Sequence, residues 1–173
     1  MKKAIIAITL ITWMFSGSID ALADKTYKVF VSQVAEHPAL DSTRLGILDT
    51  MKKHRIAPNQ NLEFRYESAQ DNPIGADQIA TKFVRDKPDL VVGLGTISAQ
   101  SFIEFADERK VKLIFSSITD PVSAGLMKDQ THLKDNITGV SNFIELEPQL
   151  ELFKKILPSM KKIGILYNPG EPN

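Results

Sequence analysis

Short runs of apolar and β-branched residues alternate along the chain with longer amphipathic stretches. The runs DLVVGLG and VKLIFSS have nearly continuous apolar centres, which is typical of strands buried on both faces of a sheet. Between such runs, apolar residues recur at helical spacing, and Pro73 suits the first turn of one of these helices. The pattern predicts strands at 27–33, 62–68, 89–95, 111–117, 136–142 and 162–168, and helices at 39–54, 73–87, 97–109 and 147–160.

Strands that alternate with helices of about ten to fifteen residues predict right-handed βαβ units. The expected fold class is therefore α/β, with a doubly wound parallel sheet. In an open sheet of this kind, ligands bind in the crevice outside the carboxyl ends of the strands. The segments that follow the predicted strands are rich in Ser, Thr, Gln and Asn, and we expect them to line one edge of the sheet.

The amino terminus has the three parts of a secretory signal peptide. Lys2 and Lys3 form a positive region, residues 4–15 are mainly apolar, and the Ala-Leu-Ala sequence at 21–23 fits a cleavage site. The apolar run is shorter than the roughly 20 residues that a spanning helix needs. We therefore expect a signal peptide at 1–23 that is cut after Ala23, and a periplasmic mature chain with no stable membrane insertion.

Charge and cysteine content remove several classes of function. The chain has 21 Lys and Arg against 21 Asp and Glu, which gives no electrostatic basis for binding nucleic acid. It has no Cys, so disulfides, thiolate catalysis and Cys-based zinc sites are excluded. No metal or cofactor is predicted.

The segment GLGTISAQS, at 93–101, joins a predicted buried strand to a helix. Gly93 and Gly95 would allow a tight turn, and Thr96 or Ser98 would cap the helix. Amide groups at the helix start would favour a carboxylate or phosphate, but capping alone explains the residues equally well. The segment has neither the third glycine of a dinucleotide fingerprint nor the Gly-Lys-Ser/Thr of a P-loop.

The segment SSITDPVSAG, at 116–125, has two interpretations. Asp120 before Pro121 fits an N-cap followed by proline at the first helical position. If Thr119 and Asp120 face the crevice instead, the carboxylate would receive an ammonium group. One strand end would then bind the carboxylate of a zwitterionic amino acid, and the neighbouring strand end would bind its ammonium group.

The sequence contains no recognisable catalytic constellation. His37, His54 and His132 are scattered, and there is no HExxH motif, paired-carboxylate spacing or G-x-S-x-G elbow. Nothing in the sequence brings Ser98 close to His37 as a nucleophile and its base. We therefore predict that the chain is not an enzyme, and a small secreted α/β enzyme is the weakest of the alternatives.

Five segments, taken together and in order, carry a family resemblance. They are EHPALD (36–41), TISAQ (96–100), SITDPVSAGL (117–126), NITGVSN (136–142) and ILYNPGE (165–171). With these segments the chain resembles the substrate-binding proteins of ABC importers with a type I periplasmic-binding-protein fold, a family that includes tryptophan- and tyrosine-binding members. The resemblance implies two α/β lobes that close on a small ligand, expected here to be an aromatic or apolar amino acid, and then dock on an ABC permease with its ATPase.

The resemblance also implies a set of ligand-binding residues. The loops after the strands of the first lobe would contribute most of them, with the backbone at Ser98 and Ala99 holding a ligand carboxylate. The crossing into the second lobe and the YNPGE turn would supply the others. The implied residues are Gln33, His37, Pro38, Thr96, Ser98, Ala99, Gln100, Thr119, Asp120, Ser141, Asn142, Asn168 and Glu171.

Each lobe of such a protein is a domain of about 100–150 residues. We assign residues 24–141 to the N-terminal ligand-binding lobe and residues 142–173 to an incomplete start of the C-terminal lobe. The apolar strand predicted at 162–168 would need parallel neighbours. A truncated product with a folded first lobe and no competent transport role is therefore an alternative to a working binding protein.

Overall fold

The computed structural model describes residues 25–108, 110–129, 131–132 and 134–166, so the predicted signal peptide lies outside the described residues. Five strands form one sheet in the order β2-β1-β3-β4-β5, and every neighbouring pair is parallel. The predicted α/β class with a parallel sheet is confirmed. The strands are β1 (Tyr27–Gln33), β2 (Leu62–Ser68), β3 (Leu90–Leu94), β4 (Leu113–Ile118) and β5 (Ile137–Ser141). The helices are α1 (Pro38–Lys53), α2 (Pro73–Arg85), α3 (Thr96–Gln100), α4 (Ile103–Asp107) and α5 (Leu146–Ile156).

The sheet is buried on both faces, as its apolar strands predict. Successive side chains of a strand point to opposite faces, so Phe30 enters one core cluster while Val29 and Val31 enter the other. On the Phe30 side, Phe83 of α2 is fully buried, and its ring centroid lies 5.1 Å from that of Phe30 and 6.4 Å from that of Phe102. These three rings join β1, α2 and the α3–α4 junction into one core.

The start of α2 follows directly from its local sequence. The side-chain oxygen of Asn72 accepts hydrogen bonds from the amides of Ile74 at 2.9 Å and Gly75 at 3.3 Å. Pro73 occupies the first helical position, where its missing N–H costs nothing. The helix predicted at 73–87 is therefore present, and it ends at Arg85.

The helix predicted at 97–109 is instead two short helices, α3 and α4. The hydroxyl of Ser101 donates to the carbonyl of Ser98 at 3.0 Å, and the amide of Phe102 donates to the carbonyl of Ala99 at 3.1 Å. In a continuous α-helix, the Ser98 carbonyl would accept from Phe102. A serine hydroxyl thus competes with the backbone ladder and interrupts the helix.

The strand predicted at 162–168 is not present in its described part, residues 162–166. Ile165 is 76% exposed and Leu166 is fully exposed, because the described part of the chain offers no strand beside them. Helix α5 is also exposed along its whole length. β5 ends at Ser141, and the division into lobes at this point stays a prediction.

The outer strand β2 carries a charged network. The guanidinium of Arg65 lies 4.6 Å from the Phe30 ring centroid, pairs with Glu63 at 2.5 Å, and contacts Asp86. The hydrogen bond from Arg65 lowers the pKa of Asp86 below its ordinary value of 3.8. Charged side chains on an edge strand also discourage pairing with other chains.

Replacing Phe83 with alanine should lower the free energy of unfolding by about 3–5 kcal/mol, because a fully buried ring is lost and a cavity remains. Urea unfolding followed by circular dichroism measures this change. The control is Ile74→Ala on the same helix, where the side chain is 69% exposed and the expected change is within about 0.5 kcal/mol. Equal unfolding midpoints for the two variants would contradict the assigned core.

Replacing Asp86 with asparagine should make the folding stability less dependent on pH in the acid range. The pKa of Asp86 is lowered in the folded chain, so its pairing with Arg65 stabilises the fold above the ordinary carboxyl value of 3.8. That stabilisation is lost as the pH falls through the lowered value. Thermal unfolding of wild type and Asp86→Asn between pH 6 and pH 2.5 measures the difference, which should shrink as the pH falls. Asp77→Asn, at an exposed position of α2, is the control and should run parallel to wild type.

Candidate functional site

The carboxyl ends of four neighbouring strands meet around a cavity of about 360 Å³, which we call the strand-end cleft. Because the strands are parallel, the loops after β1, β3, β4 and β5 all leave from the same edge of the sheet. The loops after β1, β3 and β5 contribute to the cleft, as do the last part of β4 and the first part of α1. The lining residues are Val34, His37, Ala39, Leu40, Thr43, Gly95, Thr96, Ser117 and Asn142.

His37 lies at the exposed rim of the strand-end cleft, where α1 begins, whereas Pro38 is exposed and is not among the lining residues. The Nδ1 atom of His37 accepts a hydrogen bond from the amide of Ala39 at 3.2 Å, so the imidazole is the N-cap of α1. Pro38 follows at the first helical position. The cap fixes one ring nitrogen and so orients the ring at the rim.

Gln33 is fully buried and does not line the cleft. Its side-chain amide donates to the carbonyl of Ala35 at 2.7 Å and to the carboxylate of Asp41 at 3.0 Å. The same carboxylate oxygen accepts from Arg44 at 3.2 Å, and the Arg44 guanidinium lies over the Tyr66 ring. The hydrogen bond from Gln33, followed by that from Arg44, lowers the pKa of Asp41. Gln33 therefore braces the loop that carries His37.

Gly95 is the N-cap of α3 and has a φ of 87°, in the region that favours glycine. A Cβ atom at this position would come within 2.4 Å of a methyl carbon of Val34, so glycine is also required by the close contact between the two loops. No side chain caps α3, and the expectation that Thr96 or Ser98 would do so is wrong. Both residues lie inside α3 and are buried.

The other polar groups of α3 bind within the protein. The hydroxyl of Ser32 donates to that of Ser98 at 3.2 Å, which joins β1 to α3. The amide of Ala99 donates to the carbonyl of Gly95 at 3.1 Å. The side chain of Gln100 donates to the carbonyl of Ala124 at 3.1 Å and so ties α3 to the loop after β4. The described contacts include none between Ser98 and His37, the two residues considered as a nucleophile and its base.

Asp120 caps the turn that follows β4. One carboxylate oxygen accepts from the amides of Val122 and Ser123 at 3.0 Å each, and the other accepts from the Ser123 hydroxyl at 2.5 Å. The Ser123 hydroxyl is also the main reason that the pKa of Asp120 is lowered. Asp120 thus caps a turn rather than the expected helix, and its carboxylate, which lines a cavity, keeps its negative charge.

A second cavity, of about 520 Å³, contains the other predicted residues at this edge, Thr119, Asp120 and Ser141. The hydroxyl of Ser141 donates to the carbonyl of Thr119 at 2.9 Å and accepts from the amide of Phe143 at 3.0 Å. Apolar residues, a threonine and one further carboxylate complete the lining. These are Phe115, Pro121, Val122, Met127, Thr138, Gly139, Phe143 and Glu145.

Sequence reasoning missed several cleft residues, of which Ser117 is the most informative. Ser117 stands in the segments SSITDPVSAG and SITDPVSAGL, but only Thr119 and Asp120 of that stretch are predicted to bind a ligand. No sequence signal marks the irregular backbone that exposes it to the cleft. Asn168 and Glu171, which were predicted from the YNPGE turn, lie outside the described residues.

The described part of the chain offers neither a metal site nor a membrane-spanning helix. No group of three or more His, Cys, Asp or Glu residues there could hold a metal ion. No helix in that part is both long enough and apolar enough to cross a membrane.

Comparisons with known proteins agree on one family. A family model described as ABC transporter substrate binding protein matches residues 28–173. A tyrosine-binding protein of Clostridioides difficile is 34% identical over 149 residues, which are 86% of this chain and 43% of the relative. The chain thus spans about half the length of the relatives that it matches.

Solved structures give the same result. A conserved domain protein from Vibrio cholerae is 44% identical, with a TM-score of 0.77 over 86% of this chain and 50% of that one. An ABC domain from Streptococcus pneumonia in complex with L-Trp is 31% identical, with a TM-score of 0.79 over 86% of this chain and 50% of that one. The chain belongs to the family of ABC transporter substrate-binding proteins.

Proposed function

We propose that this chain forms the first lobe of a periplasmic binding protein that delivers an amino acid, aromatic or apolar, to an ABC importer. The strand-end cleft is the observation that carries the proposal. Its volume of about 360 Å³ falls within the range of about 300–1,000 Å³ that is usual for small-molecule sites. It combines an apolar part, including Val34 and Leu40, with a few polar groups that would orient a ligand.

The charges around the two cavities fit an amino acid. Among the described residues, no Asp, Glu, Lys or Arg lines the strand-end cleft, so the polar groups that they supply there are hydroxyls, an amide and an imidazole. The second cavity carries the carboxylates of Asp120 and Glu145. In our proposal the ligand carboxylate binds neutral donors at the cleft, and its ammonium group lies towards Asp120. An apolar side chain then contacts Val34 and Leu40.

The named relatives favour the same class of ligand. One is a tyrosine-binding protein, and the structure of another contains L-Trp. The likeness supports a solute receptor and no enzymatic activity. Since this chain covers about half of each relative, we propose that contacts from a second lobe complete the site, with residues 142–173 as its start.

The partners and location follow from the same proposal. The ligand-loaded protein would dock on an ABC permease with its ATPase. It would reach the periplasm through the signal peptide at 1–23, with cleavage after Ala23. We propose that His37, Thr96 and Asn142 bind the ligand at the strand-end cleft. Thr119, Asp120 and Ser141 would bind it in the second cavity.

L-Tyrosine or L-tryptophan should bind the purified chain, because the cleft offers both apolar contact and neutral hydrogen-bonding groups. Titration followed by calorimetry or by amide shifts in NMR spectra measures this binding. Glucose is the control ligand and should produce no response. A clear response to a sugar, with none to any amino acid, would overturn the proposed ligand class.

The chain should bind its amino acid at least about tenfold more weakly than a full-length relative does, which corresponds to about 1.4 kcal/mol. The reason is that a single lobe leaves one side of the ligand in water. Parallel titrations of this chain and of the Clostridioides difficile tyrosine-binding protein with L-tyrosine measure the difference. Equal affinities would refute the contribution of a second lobe.

A further inference from the structure

The parallel ladder between β4 and β5 contains one extra residue on β4. Ser116 pairs with Val140, and the next pair joins Ile118 to Ser141, so Ser117 has no partner position on β5. An inserted residue of this kind is a β-bulge, which locally bends the strand and changes the direction of a side chain. The bulge lies at the carboxyl end of β4, beside the strand-end cleft.

The bulge changes which residues reach the core. In a regular strand, residues three apart point to opposite faces, yet Phe115 and Ile118 belong to the same buried cluster. They are 1% and 0% exposed, respectively. The extra residue brings Ile118 back to the face of Phe115. Ser117 is left outside both core clusters and lines the cleft.

Ser117 adopts a backbone conformation that is unfavourable for a residue with a side chain. Its φ is +60°, in the left-handed region where glycine fits with less strain. The other non-glycine residues with positive φ among those described all lie in turns or loops, whereas Ser117 lies within a strand. They are Arg55, Asn59, Gln70, Asp71 and Lys87. Strain of this type is concentrated at functional sites.

Within the described part of the chain, the hydroxyl of Ser117 makes no hydrogen bond that holds the fold. Three other serines near this edge do use their hydroxyl groups inside the protein: Ser98 with Ser32, Ser123 with Asp120, and Ser141 with Thr119. For Ser117, the described residues provide no such hydrogen bond. A strained position thus keeps a hydroxyl group that the described residues do not use in a hydrogen bond.

We infer that Ser117 is a ligand-binding residue of the strand-end cleft, and that the bulge in β4 serves to place its hydroxyl there. The hydroxyl donates a hydrogen bond to an oxygen atom of the bound amino acid, next to Asn142 and Thr96. This inference rests on the proposed function and adds a residue that controls ligand affinity. It makes the requirements of folding and of binding oppose each other at one position.

Ser117→Gly tests both requirements at once. Removing the side chain relieves the backbone strain, so the melting temperature of the unliganded chain should rise by about 2–4 °C. Removing the hydroxyl should weaken L-tyrosine binding about tenfold, the size expected for one lost hydrogen bond. Ser117→Ala, which keeps the Cβ atom, should weaken binding equally without the rise in melting temperature. Calorimetric titration and thermal unfolding measure the two effects.

Ser116→Ala is the matched control, because Ser116 is the neighbouring residue of β4 and does not line the cleft. It should leave the affinity unchanged. If wild type binds L-tyrosine and both Ser117 variants bind it equally well, the inference is wrong while the proposed function stands. A lower melting temperature for Ser117→Gly also overturns it. If wild type binds neither L-tyrosine nor L-tryptophan, the proposed function fails and the inference fails with it.

Discussion

The register of the central strand β1 is the constraint on which the rest of the structure depends. β1 is bonded to β2 on one side and to β3 on the other, and its last residue, Gln33, is aligned with Ser68 and with Leu94. A slip of one residue would turn Phe30 away from its cluster and would misplace Val31 as well. Burial on both faces therefore fixes the level at which three strands end. The loops of the cleft begin at a common edge for that reason.

Much of the polar sequence near the cleft holds this edge together. Gln33 and Asp41 brace the loop after β1, the Ser32–Ser98 pair joins β1 to α3, and Gln100 holds the loop after β4. Gly95 then allows the loops after β1 and β3 to touch. A site built on such contacts is largely formed before a ligand arrives, which lowers the cost of ordering it on binding.

The architecture could be predicted where a local pattern and a tertiary requirement agree. The bounds of β1 and β2 coincide with the apolar runs at 27–33 and 62–68, and the Asn72-Pro73 pair marks the start of α2. The prediction was wrong where one side chain decides the outcome. Ser101 divides the helix predicted at 97–109, and the described residues 162–166 have no neighbour that would make them a strand.

The location of the candidate site could be predicted from the sequence, but the contacts of its individual residues could not. Parallel strands oblige the loops to share an edge, so the grouping of His37, Thr96 and Asn142 follows from topology. Burial of Gln33 depends on its contact with Asp41 in a helix, and the exposure of Ser117 depends on a bulge. Neither is encoded in a spacing, so sequence reasoning could not separate residues that line the cleft from those that support it.

The amphipathic helix α5 and the core of the sheet differ in their exposure to solvent. Phe153 and Ile156, like every other residue of that helix, stay accessible to solvent, whereas the aromatic residues Phe30, Phe83 and Phe102 are fully enclosed. Cooperativity of unfolding depends on shared burial, so the sheet can melt as one unit without involving α5. A denaturation curve followed by a probe of the buried core therefore reports the stability of the sheet and not that of the helix.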